Sequence, residues 1–118
     1  VDGLLLSLAE YNGAYSSAFK NVFDWLSRIP GRSVFMDKPI LLMATSPGRR
    51  GGKSVLEIAA DRFPRNGGVV IQTFSLPKFN ENFDIHSMRI IETSLDEELK
   101  QKIKAFKEQL ASTFANNQ

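Results

Sequence analysis

Cysteine is missing from all 118 residues. That removes disulfides, thiolate metal sites and thiol catalysis in one step, and no metal site is read from the chain. The single histidine, His86, sits in a polar loop and reads as a surface residue rather than a proton shuttle. No apolar run approaches the length that crosses a bilayer, and no charged-then-apolar signal segment opens the chain. Charge of one sign is scarce too. A formal net charge of +2 is too small to point to nucleic acid or a membrane surface as a partner. Internal repeats and low-complexity tracts are absent. There is also no Met at position 1, and the first residues run straight into a buried-strand pattern, which predicts a fragment of a longer chain.

The length fits one domain with a real core, and an apolar content of 42% fits an ordinary globular protein. A cytoplasmic location is expected. Three short apolar runs, Leu4 to Leu8, Pro39 to Thr45 and Gly68 to Phe74, are continuous rather than alternating, as for strands covered on both faces. Helical patterns separate them. The first runs from about Tyr15 to Ser27 with an apolar arc of roughly 160°, wider than packing on one sheet requires. Either a neighbouring helix or a partner subunit would account for the width. The second follows Gly52 and ends at Pro64 and Asn66-Gly67-Gly68. The last carries Leu95, Leu99, Ile103, Phe106, Leu110 and Phe114 at helical spacing, with Ser94 and Glu97 forming a capping box. Residues 77–93 read as an irregular link, and Asn116-Asn117-Gln118 as a frayed end. The β-α-β-α-β-α rhythm predicts an α/β fold with a parallel sheet.

Two loops between a strand and a helix carry the polar chemistry. Glu10-Tyr11-Asn12-Gly13 offers a carboxylate, an aromatic ring, a carboxamide and a glycine within four residues. That inventory suits a flat, heteroatom-rich ligand at the carboxyl end of a parallel strand. Ser46-Pro47-Gly48-Arg49-Arg50-Gly51-Gly52-Lys53-Ser54 nearly matches the nucleotide phosphate loop. Its first glycine, however, falls on Pro47, which has no amide hydrogen. The next strand also ends without the acidic residue that would hold magnesium, so a nucleotide hydrolase is not expected. Instead Gly48, Gly51 and Gly52 are read as letting the backbone approach a planar ligand, with Ser46 hydrogen-bonding to it. Arg49 and Arg50 read as a solvated basic turn or as partners for dinucleotide phosphates.

Taken in order, Glu10-Tyr11-Asn12-Gly13, Lys20-Asn21, Asp24-Trp25, Ser27-Arg28 and Thr45-Ser46-Pro47-Gly48 with Gly51-Gly52 resemble the NAD(P)H-dependent FMN reductases. That family includes azo-, quinone- and chromate-reducing enzymes and is flavodoxin-like. Its usual P-E-Y-N-G-S motif appears here with Ala9 for the proline and Ala14 for the serine.

The resemblance implies a flavodoxin-like parallel sheet with helices on both faces. Residues 1–118 would be a single FMN reductase domain without its N-terminal half, supplying strands 3, 4 and 5 of the 2-1-3-4-5 order. It implies FMN as cofactor, held by Glu10, Tyr11, Asn12, Gly13, Ser46, Gly48, Gly51 and Gly52. NAD(P)H would be the co-substrate, and a quinone, free flavin or similar small molecule the electron acceptor. No catalytic side chain is required, because the cofactor carries the reaction. It further implies a homodimer or homotetramer. The family's Gly-Ser-x-Arg phosphate loop has no match in the chain, so the 118 residues alone are expected to bind FMN poorly and to be inactive. A flavodoxin-type electron carrier, or an inactive fragment of the fold, is the alternative.

Overall fold

A computed structural model describes residues 1–116. Three parallel strands, β1 (Leu4–Leu8), β4 (Lys38–Thr45) and β5 (Gly68–Leu76), form one sheet in the order β1-β4-β5. Between β1 and the first helix the chain makes a small antiparallel hairpin, β2 (Glu10–Tyr11) and β3 (Ala14–Tyr15). Helix α1 (Ser17–Leu26) follows, capped by the Ser16 hydroxyl, which accepts the Phe19 amide at 3.1 Å. Helix α2 (Lys53–Arg62) runs into a 3-10 turn at Phe63–Asn66, which Gly67 ends in the left-handed region at φ 81°.

The predicted strands and helices are all present, and β4 is the strand that matches its pattern best. It lies in the middle of the sheet, with Ile40, Leu41 and Leu42 sealed from solvent. Ile40, Leu42 and Ala44 face α1 and α2, joining Leu8, Phe23, Val55, Leu56, Ala59 and Phe63 in the principal core. Leu41 falls on the other face, where α4 (Thr93–Asn116) packs against β4 and β5 and buries Phe106. Helices therefore cover both faces.

β1 departs from expectation. Its run of leucines reads as buried on both sides, yet only Leu4, Leu6 and Leu8 meet the core and Leu5 is 59% exposed. The cause is its place at the sheet edge: α4 packs chiefly on β4 and β5, with its Phe106 and Leu110 meeting Gly3 just before β1. An uncovered apolar edge invites pairing between molecules. Leu5→Lys is therefore expected to shift stability by no more than about 0.5 kcal/mol, as for other exposed positions, and to reduce concentration-dependent light scattering. Scattering unchanged by the lysine would clear this edge.

Two further corrections concern the C-terminal part. The link after β5 is not wholly irregular. It holds a single helical turn, α3 (Phe79–Asn82), and a two-residue ladder, β6 (Phe83–Asp84) with β7 (Arg89–Ile90). Nor does Ser94 cap α4. The helix starts earlier, so Ser94 lies inside it, and the Glu92 carboxylate accepts both the Leu95 amide, at 3.0 Å, and the Ser94 hydroxyl. These bonds, the Ser94 hydroxyl foremost, hold the Glu92 pKa below its ordinary 4.5. A group whose folded pKa is depressed stabilises above its unfolded value and loses that contribution as pH falls. Thermal melts between pH 6 and about 3 should thus fall less steeply for Glu92→Gln than for the native chain. Equal slopes would show that this cap carries no acid sensitivity. Helix α4 runs through Asn116, which the sequence reading places in a frayed end; the rest of that expectation, at 117–118, and the side chain of Phe114 lie outside what is described.

Candidate functional site

In a parallel sheet, all strands deliver their following loops to the same edge, and here three loops meet there. The first is the hairpin. Asn12 and Gly13 both have positive φ, 53° and 82°, the turn that a two-residue hairpin requires and that Asn-Gly favours. Sequence reading expects an open polar loop, but the structure folds it into a ladder with Tyr11 opposite Ala14. The Tyr11 ring stands 64% exposed at the edge, and the Asn12 side chain is exposed beside it.

The second loop, residues 46–52, leads into α2, whose first turn adjoins the hairpin. Its glycine Gly52 opens α2 at φ 79° and has no side chain with which to cap it. The carboxylate of Glu10 fills that role from 45 residues away, accepting the Val55 amide at 3.3 Å. Negative charge at a helix start is favourable, and it leaves that terminus unsuited to a phosphate. The resemblance of Gly52-Lys53-Ser54 to a phosphate loop therefore has no counterpart in the geometry. Ser54 instead accepts a hydrogen bond from the Arg50 guanidinium at 3.1 Å.

The three glycines of this loop differ sharply. A Cβ on Gly51 would run into the Ser75 hydroxyl and come within 2.7 Å of Pro77 N; one on Gly52 would stand 2.6 Å from the Ala44 Cβ. Both residues are buried against their own chain. Their glycine identity is therefore set by internal packing, where sequence reading assigns it to a ligand. Gly48 is exposed, and a Cβ there would meet nothing nearer than the Ser46 Oγ at 3.9 Å. It alone of the three leaves open room above the edge. The Ser46 hydroxyl donates to the Gly48 carbonyl at a long 3.4 Å and is poorly committed.

A third loop, absent from the sequence-based site, braces the second. Ser75 Oγ donates to the carbonyl of Gly51 at 2.8 Å, Lys78 N to that of Gly48 at 2.8 Å, and Phe79 N to that of Ser46 at 2.9 Å. Thr45 Oγ1 joins the β4 and β5 ends by donating to the Leu76 carbonyl at 2.7 Å. Lys78 accepts a left-handed conformation, φ 49°, to make this contact. The available signal was the strand-loop-helix pattern after β5, which repeats that of the first two corners. Phe79 and Phe83 stack on each other with ring centroids 5.0 Å apart, pinning the short turn. His86 is exposed, and Lys20 pairs with Asp24 at 2.7 Å on the solvent side of α1. Among the described residues no cluster of His, Asp or Glu is placed to hold a metal ion.

Residues 1–81, which contain the first two loops and most of the third, match the family model described as NADPH-dependent FMN reductase. The chain belongs to that family. An NADPH:quinone oxidoreductase of Arabidopsis thaliana is 42% identical over 53 residues, covering 45% of this chain and 26% of that protein. An NADPH azoreductase of Bacillus sp. (strain OY1-2) is 42% identical over 55 residues, covering 47% and 29%. A quinone reductase of Escherichia coli (strain K12) is 39% identical over 51 residues, covering 43% and 27%. The chain thus matches little more than a quarter of the length of these curated relatives. Among solved structures, the flavoenzyme NAD(P)H:(acceptor) oxidoreductase FerB of Paracoccus denitrificans superposes with a TM-score of 0.76 at 22% identity. That match covers 94% of this chain and 62% of FerB, and it supports the flavodoxin-like fold of this FMN reductase family member.

Proposed function

We propose that this FMN reductase family chain carries the flavin-ring corner of an FMN-dependent oxidoreductase that passes electrons from NAD(P)H to a quinone, flavin or similar small acceptor. The observation that carries this reading is the junction, at the carboxyl edge of the sheet, of the Glu10–Gly13 hairpin with the start of α2, the helix that the Ser46–Gly52 loop leads into, fastened by Glu10. The donor set fits the ring end of FMN. Tyr11 offers an exposed aromatic face, Asn12 a carboxamide, Gly13 and Gly48 unobstructed backbone, and Ser46 a weakly engaged hydroxyl. Gly51 and Gly52 contribute by holding the loop down, while the exposed Arg49 would be free to meet a dinucleotide phosphate.

When bound, FMN supplies the hydride-accepting and electron-donating chemistry. The protein's residues bind and orient, and none has to act as nucleophile or acid. We read residues 1–118 as one flavodoxin-like unit that holds this corner but not the phosphate loop, working in the cytoplasm. Among the described residues no helix is long and apolar enough to cross a membrane.

The deciding experiment is loss of NADPH absorbance with FMN and a benzoquinone, run on the polypeptide that carries this domain in full. Turnover that depends on added quinone is expected. Flavin demonstrably bound without turnover would move the assignment to an electron carrier. A homodimer or homotetramer belongs to the same reading, because Val22, Trp25 at 72% exposure and Ile29 leave an apolar face on and just beyond α1. Trp25→Glu is expected to shift the species seen by size-exclusion chromatography toward monomer; an unchanged elution would remove this face from the interface.

A further inference from the structure

We propose that Glu10 is a positioning residue: it fastens the hairpin to the start of α2 and closes that helix end to phosphate, so that the corner receives a flavin by its ring. The proposal rests on the FMN reading above and gives a distinct role to a residue that the resemblance simply counts among those holding FMN.

Three observations converge on it. Helix α2 has no cap of its own, since Gly52 lacks a side chain and the first turn holds no acidic residue. The amide of Val55 donates instead to Glu10, the one side-chain bond linking the hairpin to the helix among the described residues. The two elements also adjoin at the turn, where a Cβ on Gly13 would lie 3.9 Å from that of Ser54. A ladder of two residue pairs is marginal by itself. Its position is therefore set by what fastens it: the Tyr15 ring, packed on Phe63 in the core, and at the start of α2 the Glu10 carboxylate, its polar fastening. The second half of the proposal is electrostatic. An α-helix start carries roughly half a positive charge, which a phosphate would seek. Here a carboxylate already occupies it and repels a phosphate, whereas the neutral flavin ring is indifferent to it.

The test compares Glu10→Ala and Glu10→Gln with the native sequence, each in the polypeptide that carries this domain in full, using Val55 amide hydrogen exchange without flavin and fluorescence titrations with riboflavin and with FMN. In Glu10→Ala, Val55 exchange should rise and riboflavin affinity should fall, each about tenfold, as for a lost bond to a charged acceptor. Glu10→Gln keeps an acceptor oxygen and should restore both to within about threefold. It should also raise the affinity for FMN relative to riboflavin, because the charge is gone. Unchanged Val55 exchange in Glu10→Ala would overturn the proposal whatever the flavins do. Faster exchange with riboflavin affinity intact would overturn the link to the site and leave the FMN reading standing. An FMN-to-riboflavin ratio unmoved by Glu10→Gln would overturn the phosphate exclusion. If the native full polypeptide binds neither flavin while Val55 responds as expected, the fastening stands and the FMN reading of the corner fails.

Discussion

Replacing Phe63 by alanine is expected to cost about 3–5 kcal/mol, the range for deleting a large side chain that the surroundings cannot collapse upon. Phe63 is fully shielded from solvent and sits where the core converges. Its ring centroid lies 4.6 Å from that of Phe35, 5.6 Å from Phe23, 5.9 Å from Phe19 and 6.2 Å from Tyr15. These rings come from the hairpin, α1, the segment before β4 and the turn after α2, so one substitution loosens four parts of the chain. Domains of this size are stable by only about 5–15 kcal/mol, so the loss is a large share of the total. Thermal unfolding followed by circular dichroism should show the midpoint falling by roughly 10–20 °C. Phe63→Leu, which fills more of the space, should lose less. A drop of only a few degrees for the alanine variant would show that the aromatic cluster repacks, and that the hairpin is not anchored through it.

That cluster shows how far the sequence could be read. Phe63 stands directly before the Pro64 that ends the second helical pattern, and nothing local marks it as the centre of the core. Ring contacts between Tyr15, Phe35 and Phe63 join residues far apart in the chain, and periodicity reports only what lies within one element. β4 was legible because a strand buried on both faces writes its environment into every residue. β1 has the same leucine-rich writing, but Leu5 is exposed because coverage depends on which helix reaches the sheet edge. The two loops were recognisable from local chemistry. Their connection through Glu10 and Val55 was not, since it spans 45 residues and replaces a cap that Gly52 cannot provide. Ser75 and Lys78 carry no local signal for the same reason: their importance lies in the carbonyls of Gly51 and Gly48 that they bind.

The glycines of the second loop separate packing from ligand approach in one experiment. Gly52→Ala should be strongly destabilising. Its φ of 79° is a conformation that costs an L-residue about 1–2 kcal/mol, and the new Cβ would stand 2.6 Å from that of Ala44. Overpacking of this kind adds typically about 1–3 kcal/mol. The loop must move off β4, taking the start of α2 with it and breaking the register with Glu10. Both the melting temperature and flavin affinity should therefore fall. Gly48→Ala meets no such obstacle, because its nearest neighbour is 3.9 Å away and the residue faces solvent. Its melting temperature should stay near the native value. If a flavin ring lies against this stretch of backbone, the added methyl intrudes on it, and FMN or riboflavin affinity falls with stability intact. Gly48→Ala that binds flavin as the native chain does would place the ring elsewhere on the edge, toward Tyr11 and Asn12. Gly52→Ala that melts normally would contradict the packing described for the loop, and with it the distinction between a glycine that serves the fold and one that serves the ligand.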